Sequence, residues 1–177
     1  VNKRRSTTWA KQLEQYTMSD EAFKQQLSEL YQGEVIGEVA INGMLPQFDD
    51  PVQRYKLASI LQLETETKAR LRPVLMELGI DLAETAEARQ AGLQMATAMQ
   101  GLNWQAAMDG LRDVIKPYVA RYREIAAGAP QQYKAVAESM LVHEQSLYDF
   151  LVQELAGNGD VAIGAVVDQL QHKLPRP

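Results

Sequence analysis

The chain is 177 residues long, 46% hydrophobic and 23% charged, with a formal net charge of −5. That length is enough for one domain with a substantial core, and the acidic balance argues against nucleic acid as the main partner, because a duplex-binding domain carries a basic stripe to neutralise phosphates. Cysteine is absent, which excludes disulfides, thiolate catalysis, zinc–thiolate sites and iron–sulfur clusters.

Helical periodicity dominates in long blocks, and no segment shows the alternation of a strand. No apolar run reaches the roughly 18 residues of a membrane span. No apolar leader follows Val1, so a cytoplasmic location is expected. The polar opening carries Lys3-Arg4-Arg5, which reads as part of a solvated tail, and a short helix is expected around Thr8 to Tyr16. Ser19 is placed to cap the first long helix, A, with Asp20 and Glu21 in its first turn. Helix A should run to about Leu45, where Pro46 prevents continuation.

Asp50-Pro51 is a start signal, a capping side chain followed by proline at the first helical position. Helix B then carries Leu57, Ile60, Glu64, Thr67, Leu71, Val74 and Leu78 on one stripe and ends at Gly79. Pro73 should kink its last turns. An alanine-rich helix over about Leu82 to Met99 follows. Asn103 caps helix C, whose stripe is Trp104, Ala107, Leu111, Val114, Tyr118, Tyr122 and Ile125. Gly128-Ala129-Pro130 breaks the chain before helix D, with Tyr133, Ala137, Met140, Glu144, Leu147, Leu151 and Leu155. A short helix over about Asp160 to His172 and a loose end complete the chain. The expected division is a tail or short helix over 1–18, a bundle over 19–157, and a short C-terminal helix and tail over 158–177.

The two halves echo each other. Tyr55-Lys56 and Gly79 correspond to Tyr133-Lys134 and Gly157, and the register that keeps the apolar stripes in phase sets Glu64 on Glu144. Two helical hairpins joined by a longer connection with its own helix make an all-α, antiparallel four-helix bundle with one long crossover between helices B and C.

Carboxylates interrupt the apolar stripes. In YQGEVIGEVA, residues 31–40, Glu34 falls on the stripe of Phe23, Leu27, Leu30, Ile41 and Met44, and Glu38 on its shoulder. An inward glutamate on one helix is ordinarily paired with a base or reaches the rim. Inward glutamates on three helices point instead to a shared polar site that needs compensation by a metal, by protons, or by bases such as Lys68, Arg70 and Arg121.

With YQGE opening the pattern, residues 20–157 resemble the ferritin-like superfamily, in particular its rubrerythrin-like members. The resemblance implies one glutamate each from helices A and C and a Glu-x-x-His pair from helices B and D, around two iron or manganese ions. Glu34 takes the helix A position. Glu64-Thr65-Glu66-Thr67 takes that of helix B, with threonine in place of histidine, and Glu144-Gln145-Ser146-Leu147 that of helix D, with leucine in place of histidine. Helix C presents Tyr118 and Tyr122 inward and no acid. The dinuclear site is therefore degenerate, because threonine is a poor ligand and leucine none.

A reduced metal site remains from Glu34, Glu64 and Glu144, assisted by Glu38 or His143. It implies redox chemistry on oxygen, peroxide or an organic substrate. His143 adjoins Glu144 and so should point roughly 100° away from it, as a surface or inter-helix residue. His172 is expected to be exposed, and the two tyrosines to be core packing. The alternative is a non-enzymatic bundle that binds a partner protein or a small apolar ligand, favoured by the missing histidines. A homodimer is compatible with either reading.

Overall fold

The computed structural model describes residues 20–177. The expected helix around Thr8–Tyr16 and the Ser19 cap lie outside the described residues. Helix α1 (Asp20–Met44) is the expected helix A, and a 3-10 turn at Leu45–Gln47, with Pro46 in it, ends it. Helix α2 (Pro51–Glu77) begins where Asp50 accepts the amides of Val52 and Gln53, and it continues through Pro73. Helix α3 (Ala86–Ala98) is capped by Thr85. It starts later than the sequence predicts, because Asp81 and Thr85 turn their side chains onto nearby amides before it. Asn103 caps α4 (Trp104–Gly128), and α5 (Lys134–Leu155) follows a 3-10 turn at Gln131–Tyr133.

Gly79, Gly101 and Gly157 terminate helices with φ of 71°, 77° and 83°, the left-handed backbone that a side chain would strain. The described residues contain no strand. No helix among them is long and apolar enough to cross a membrane.

The long helices form two hairpins. Helix α1 packs against α2, α4 against α5, and α2 meets α5 along a shorter seam. The crossover helix α3 lies on α1, where small residues let the backbones approach. A Cβ at Gly92 would stand 2.7 Å from the Ile36 carbonyl oxygen, and one at Gly43 2.7 Å from Ala96 Cβ. That close approach explains the alanine-rich composition of the crossover.

Two apolar cores result. One contains Phe23, Leu27, Tyr31, Leu71, Leu75, Ile125 and Met140. The other contains Met44, Leu57, Leu63, Met108, Phe150 and Leu151. Full burial of each such side chain contributes roughly 1.5–3 kcal/mol. The C-terminal segment differs from the single short helix expected. It forms two one-turn helices, α6 (Gly159–Ala162) and α7 (Gly164–Val167). It buries Ala162, Ile163, Val166, Val167 and Leu170 in the second core, so this segment is part of the packed unit and not a tail. Glu66 fastens it by accepting the amides of Gln171 at 2.7 Å and His172 at 3.0 Å.

A candidate metal centre between the two cores

Glu34 on α1, Glu64 on α2 and His143 on α5 meet where the two cores adjoin. One ligand atom from each lies within 4.8 Å of the others. His143 Nε2 is 3.1 Å from Glu34 Oε2 and 3.7 Å from Glu64 Oε2. All three side chains are buried.

Neighbouring groups hold each member in place. Tyr122 donates to Glu34 Oε1 at 3.1 Å. Thr67 Oγ1 lies 3.1 Å from His143 Nδ1 and accepts from Arg70 Nη2 at 2.7 Å. A Cβ at Gly37 would stand 2.7 Å from the Glu64 carboxyl carbon, so only glycine leaves room there for that carboxylate. Glu34 Oε2, although buried, receives no hydrogen bond, because the imidazole nitrogen nearest to it is not aligned on it.

Burial governs the electrostatics. Desolvation pushes the Glu34 carboxyl up to about 7, against smaller opposing effects of Glu64, Tyr122 and the nearby cations. Burial and then the charge of Glu34 raise Glu64 well above the usual carboxylate range. Burial also pushes the His143 imidazole down to about 3, with Arg70 adding to the effect. The ring is therefore neutral at pH 7, the form that ligates metals. Tyr122 is raised well above its ordinary value, first by burial and then by Glu34.

None of the bases expected to compensate the glutamates forms an ion pair with them. Lys68, 3% exposed, is held by Glu38 and Glu84. Arg70 serves Thr67, and Arg121 pairs with Glu29 at 3.3 Å on the surface.

The sequence-predicted residues divide accordingly. Glu34 and Glu64 come together as expected. Glu38 is drawn off to Thr65 Oγ1, at 2.6 Å, and to Lys68. Glu144 is buried but is not one of the three converging groups; it lines an adjoining cavity of about 80 Å³ together with Glu34, Glu64 and apolar side chains. Burial, then the charge of Glu34, raises its carboxyl well above the usual range.

His143, expected either to assist the glutamates or to be a surface or inter-helix residue, points inward and is buried. Helix α5 is buried across His143, Glu144, Ser146 and Leu147, a face broad enough to take two adjacent residues. The signal that reveals it is the three-residue spacing Met140-x-x-His143, which places the imidazole opposite Thr67. The stripe register chosen from Glu64 and Glu144 conceals it. Tyr118 is 45% exposed and so departs from the inward position expected, whereas Tyr122 is buried. No protein-family model matches the chain, and neither a curated protein nor a solved structure matches it.

Proposed function

We propose that this protein is a ferritin-like bundle that binds one divalent iron or manganese ion through Glu34 Oε2, Glu64 Oε2 and His143 Nε2, and serves redox chemistry on oxygen, peroxide or a small organic molecule. One observation carries the reading: three buried ligand atoms lie within 4.8 Å of one another with no ion-paired cation to balance them. Buried carboxylates without a counter-charge are strongly disfavoured. The donor set of two carboxylates and a neutral imidazole suits these metals, and Glu34 Oε2 is a buried acceptor that no donor satisfies.

A dinuclear centre does not fit. The position of a second imidazole holds Thr67, whose hydroxyl is engaged by His143 and Arg70, and Glu144, the carboxylate expected from α5, is not among the three converging groups. When bound, a single ion supplies a redox couple and a Lewis-acid centre. The chain's own residues prepare the place: Tyr122 fixes one oxygen of Glu34 so that the other faces His143, Thr67 orients the imidazole ring, and Lys68 keeps Glu38 apart.

Elemental analysis of protein purified from iron- and manganese-supplemented cells tests the reading. The expected result is about one ion per chain, lost in His143→Ala and Glu64→Gln variants that keep their helical circular dichroism. Metal-free protein, or metal retained by both variants, would refute it. The second reading is a non-enzymatic bundle that takes a small ligand, and the apolar-walled cavity beside Glu144 supports it.

A further inference from the structure

We propose that the cavity beside the glutamates is a binding site for a short primary alkylammonium ion, with the ammonium donating to Glu144 and the alkyl chain packed against the apolar side chains of α1, α4 and α5. The inference does not rest on metal binding by Glu34, Glu64 and His143.

Glu144 is 6% exposed, lines the cavity, and receives no hydrogen bond or ion pair from any described residue. A buried carboxyl in that state is an open demand for a donor. Its own helix offers none, since His143 faces Glu34 and Glu64. No cationic side chain lines the cavity, and the buried Lys68 is held by Glu38 and Glu84. The other polar groups of the cavity wall are Glu34 and Glu64, which face His143, and Tyr118 and Tyr122, of which Tyr122 gives its proton to Glu34.

The rest of the wall is apolar, with Ile60, Leu111, Val114, Leu147 and Leu151 on it. No basic side chain stands on the wall to hold an anion. An alkylammonium meets both halves of the site. Its nitrogen brings hydrogen-bond donors to a carboxyl that has none, and its chain displaces water from hydrocarbon walls. An alkyl carboxylate would add a like charge to the glutamates. An alcohol would donate one hydrogen bond where an ammonium can donate three.

Size narrows the class. The cavity, about 80 Å³, lies between the ~30 Å³ share of one water and the ~150 Å³ of a cavity that holds benzene. A chain of about three carbons fits that interval. The cavity reaches solvent beside Tyr118, which lines it and is 45% exposed.

Titration calorimetry on chelator-treated protein tests this with n-propylammonium, propionate and 1-propanol at matched ionic strength. Saturable binding and a raised melting temperature are expected with n-propylammonium alone. Glu144→Gln should weaken the binding by at least about tenfold. Val114→Phe, which fills the cavity and leaves the carboxyl in place, should abolish it. An equal response to propionate or 1-propanol overturns the proposal, as does unchanged affinity in Val114→Phe, the variant that decides if Glu144→Gln does not fold. Because the protein is titrated free of metal, a failure here is distinct from a failure to bind iron or manganese.

Discussion

Thr67 Oγ1 stands 3.1 Å from His143 Nδ1 and, from its other side, accepts a 2.7 Å hydrogen bond from Arg70. A guanidinium only donates, so the hydroxyl keeps its own proton to give to Nδ1, and in that arrangement, which we expect of the metal-free protein, the imidazole proton sits on Nε2. A metal on Nε2 would reverse this, placing the proton on Nδ1 with Thr67 as acceptor. Nitrogen NMR of the histidine ring should therefore report the Nε2–H tautomer in chelated protein and the Nδ1–H tautomer after iron or manganese is added. Thr67→Val leaves Nδ1 and Arg70 without that partner and should cost about 1–3 kcal/mol. A melt within experimental error of the parent would contradict this account of the ring.

The pH dependence of the metal-free protein follows from the four buried groups. Glu34 rises from 4.5 to about 7, Glu64 and Glu144 rise well above 4.5, and His143 falls from 6.5 to about 3. Between pH 4.5 and 6.5 the unfolded chain carries a proton on His143 but not on the glutamates, whereas the folded protein carries protons on the glutamates but not on His143. The folded state then binds more protons, so stability declines as pH rises, with Glu34 alone accounting for on the order of 3 kcal/mol by its folded pKa. Below pH 4.5 the unfolded glutamates are protonated as well, and only His143 distinguishes the states, so its contribution is lost as pH falls toward about 3. The cluster's contribution should peak near pH 4.5 in chelated protein. Added metal should lift the neutral side of that profile, because the ion displaces the shared protons. Chemical denaturation at a series of pH values, with and without chelator, measures both curves; a chelated protein most stable above pH 7 would exclude the arrangement.

Gly37→Ala is an unusual helix substitution. Alanine within a helix is ordinarily favoured over glycine by roughly 1 kcal/mol. Here the new methyl would stand 2.7 Å from the Glu64 carboxyl carbon and from Oε2, so Glu64 must turn away from His143. We expect loss of metal binding with little or no gain in melting temperature. A more stable variant that binds metal normally would show that Glu64 occupies its position without help from Gly37.

Far from the glutamates, Lys56 and Glu154 form a buried pair at 2.6 Å, and Trp104 donates to the same carboxylate at 2.7 Å. Lys56→Met leaves that carboxylate uncompensated and should destabilise the protein by about 3–5 kcal/mol. Lys56→Met combined with Glu154→Gln should recover part of the loss. Urea denaturation of the single and double variants reads the coupling.

The helical blocks were legible because their ends carry local chemistry. Asp50-Pro51, Asn103, Gly79 and Gly157 act in the structure as their residue types dictate. The inward course of Glu34 and Glu64 was legible for a similar reason, since both sit on apolar stripes. His143 was not, because one stripe per helix is too narrow a rule for α5, which is enclosed on two adjoining faces. Nor does spacing along the chain reveal that Lys68 bridges Glu38 and Glu84. That choice of partners is made by the approach of the segment before α3, which only the assembled fold specifies. The two one-turn helices near the end lack side-chain caps and a repeat, and they are organised by burial in the core of Phe150 and Leu151 and by the hold of Glu66 on the segment after them.

The division of the interior into two cores has a consequence for the emerging chain. The core built on Phe23, Leu71 and Ile125 requires nothing beyond Met140, whereas the core built on Met44, Leu57 and Phe150 is incomplete until Leu170 is in place. During synthesis the first can close once Met140 has emerged, and the second must wait for Leu170. The glutamates and His143, at the boundary, are thus fully enclosed only once the second core has closed as well. Until then one wall of their site is open to water, and the apolar surface awaiting the C-terminal segment is the part of the nascent protein most exposed to misassociation.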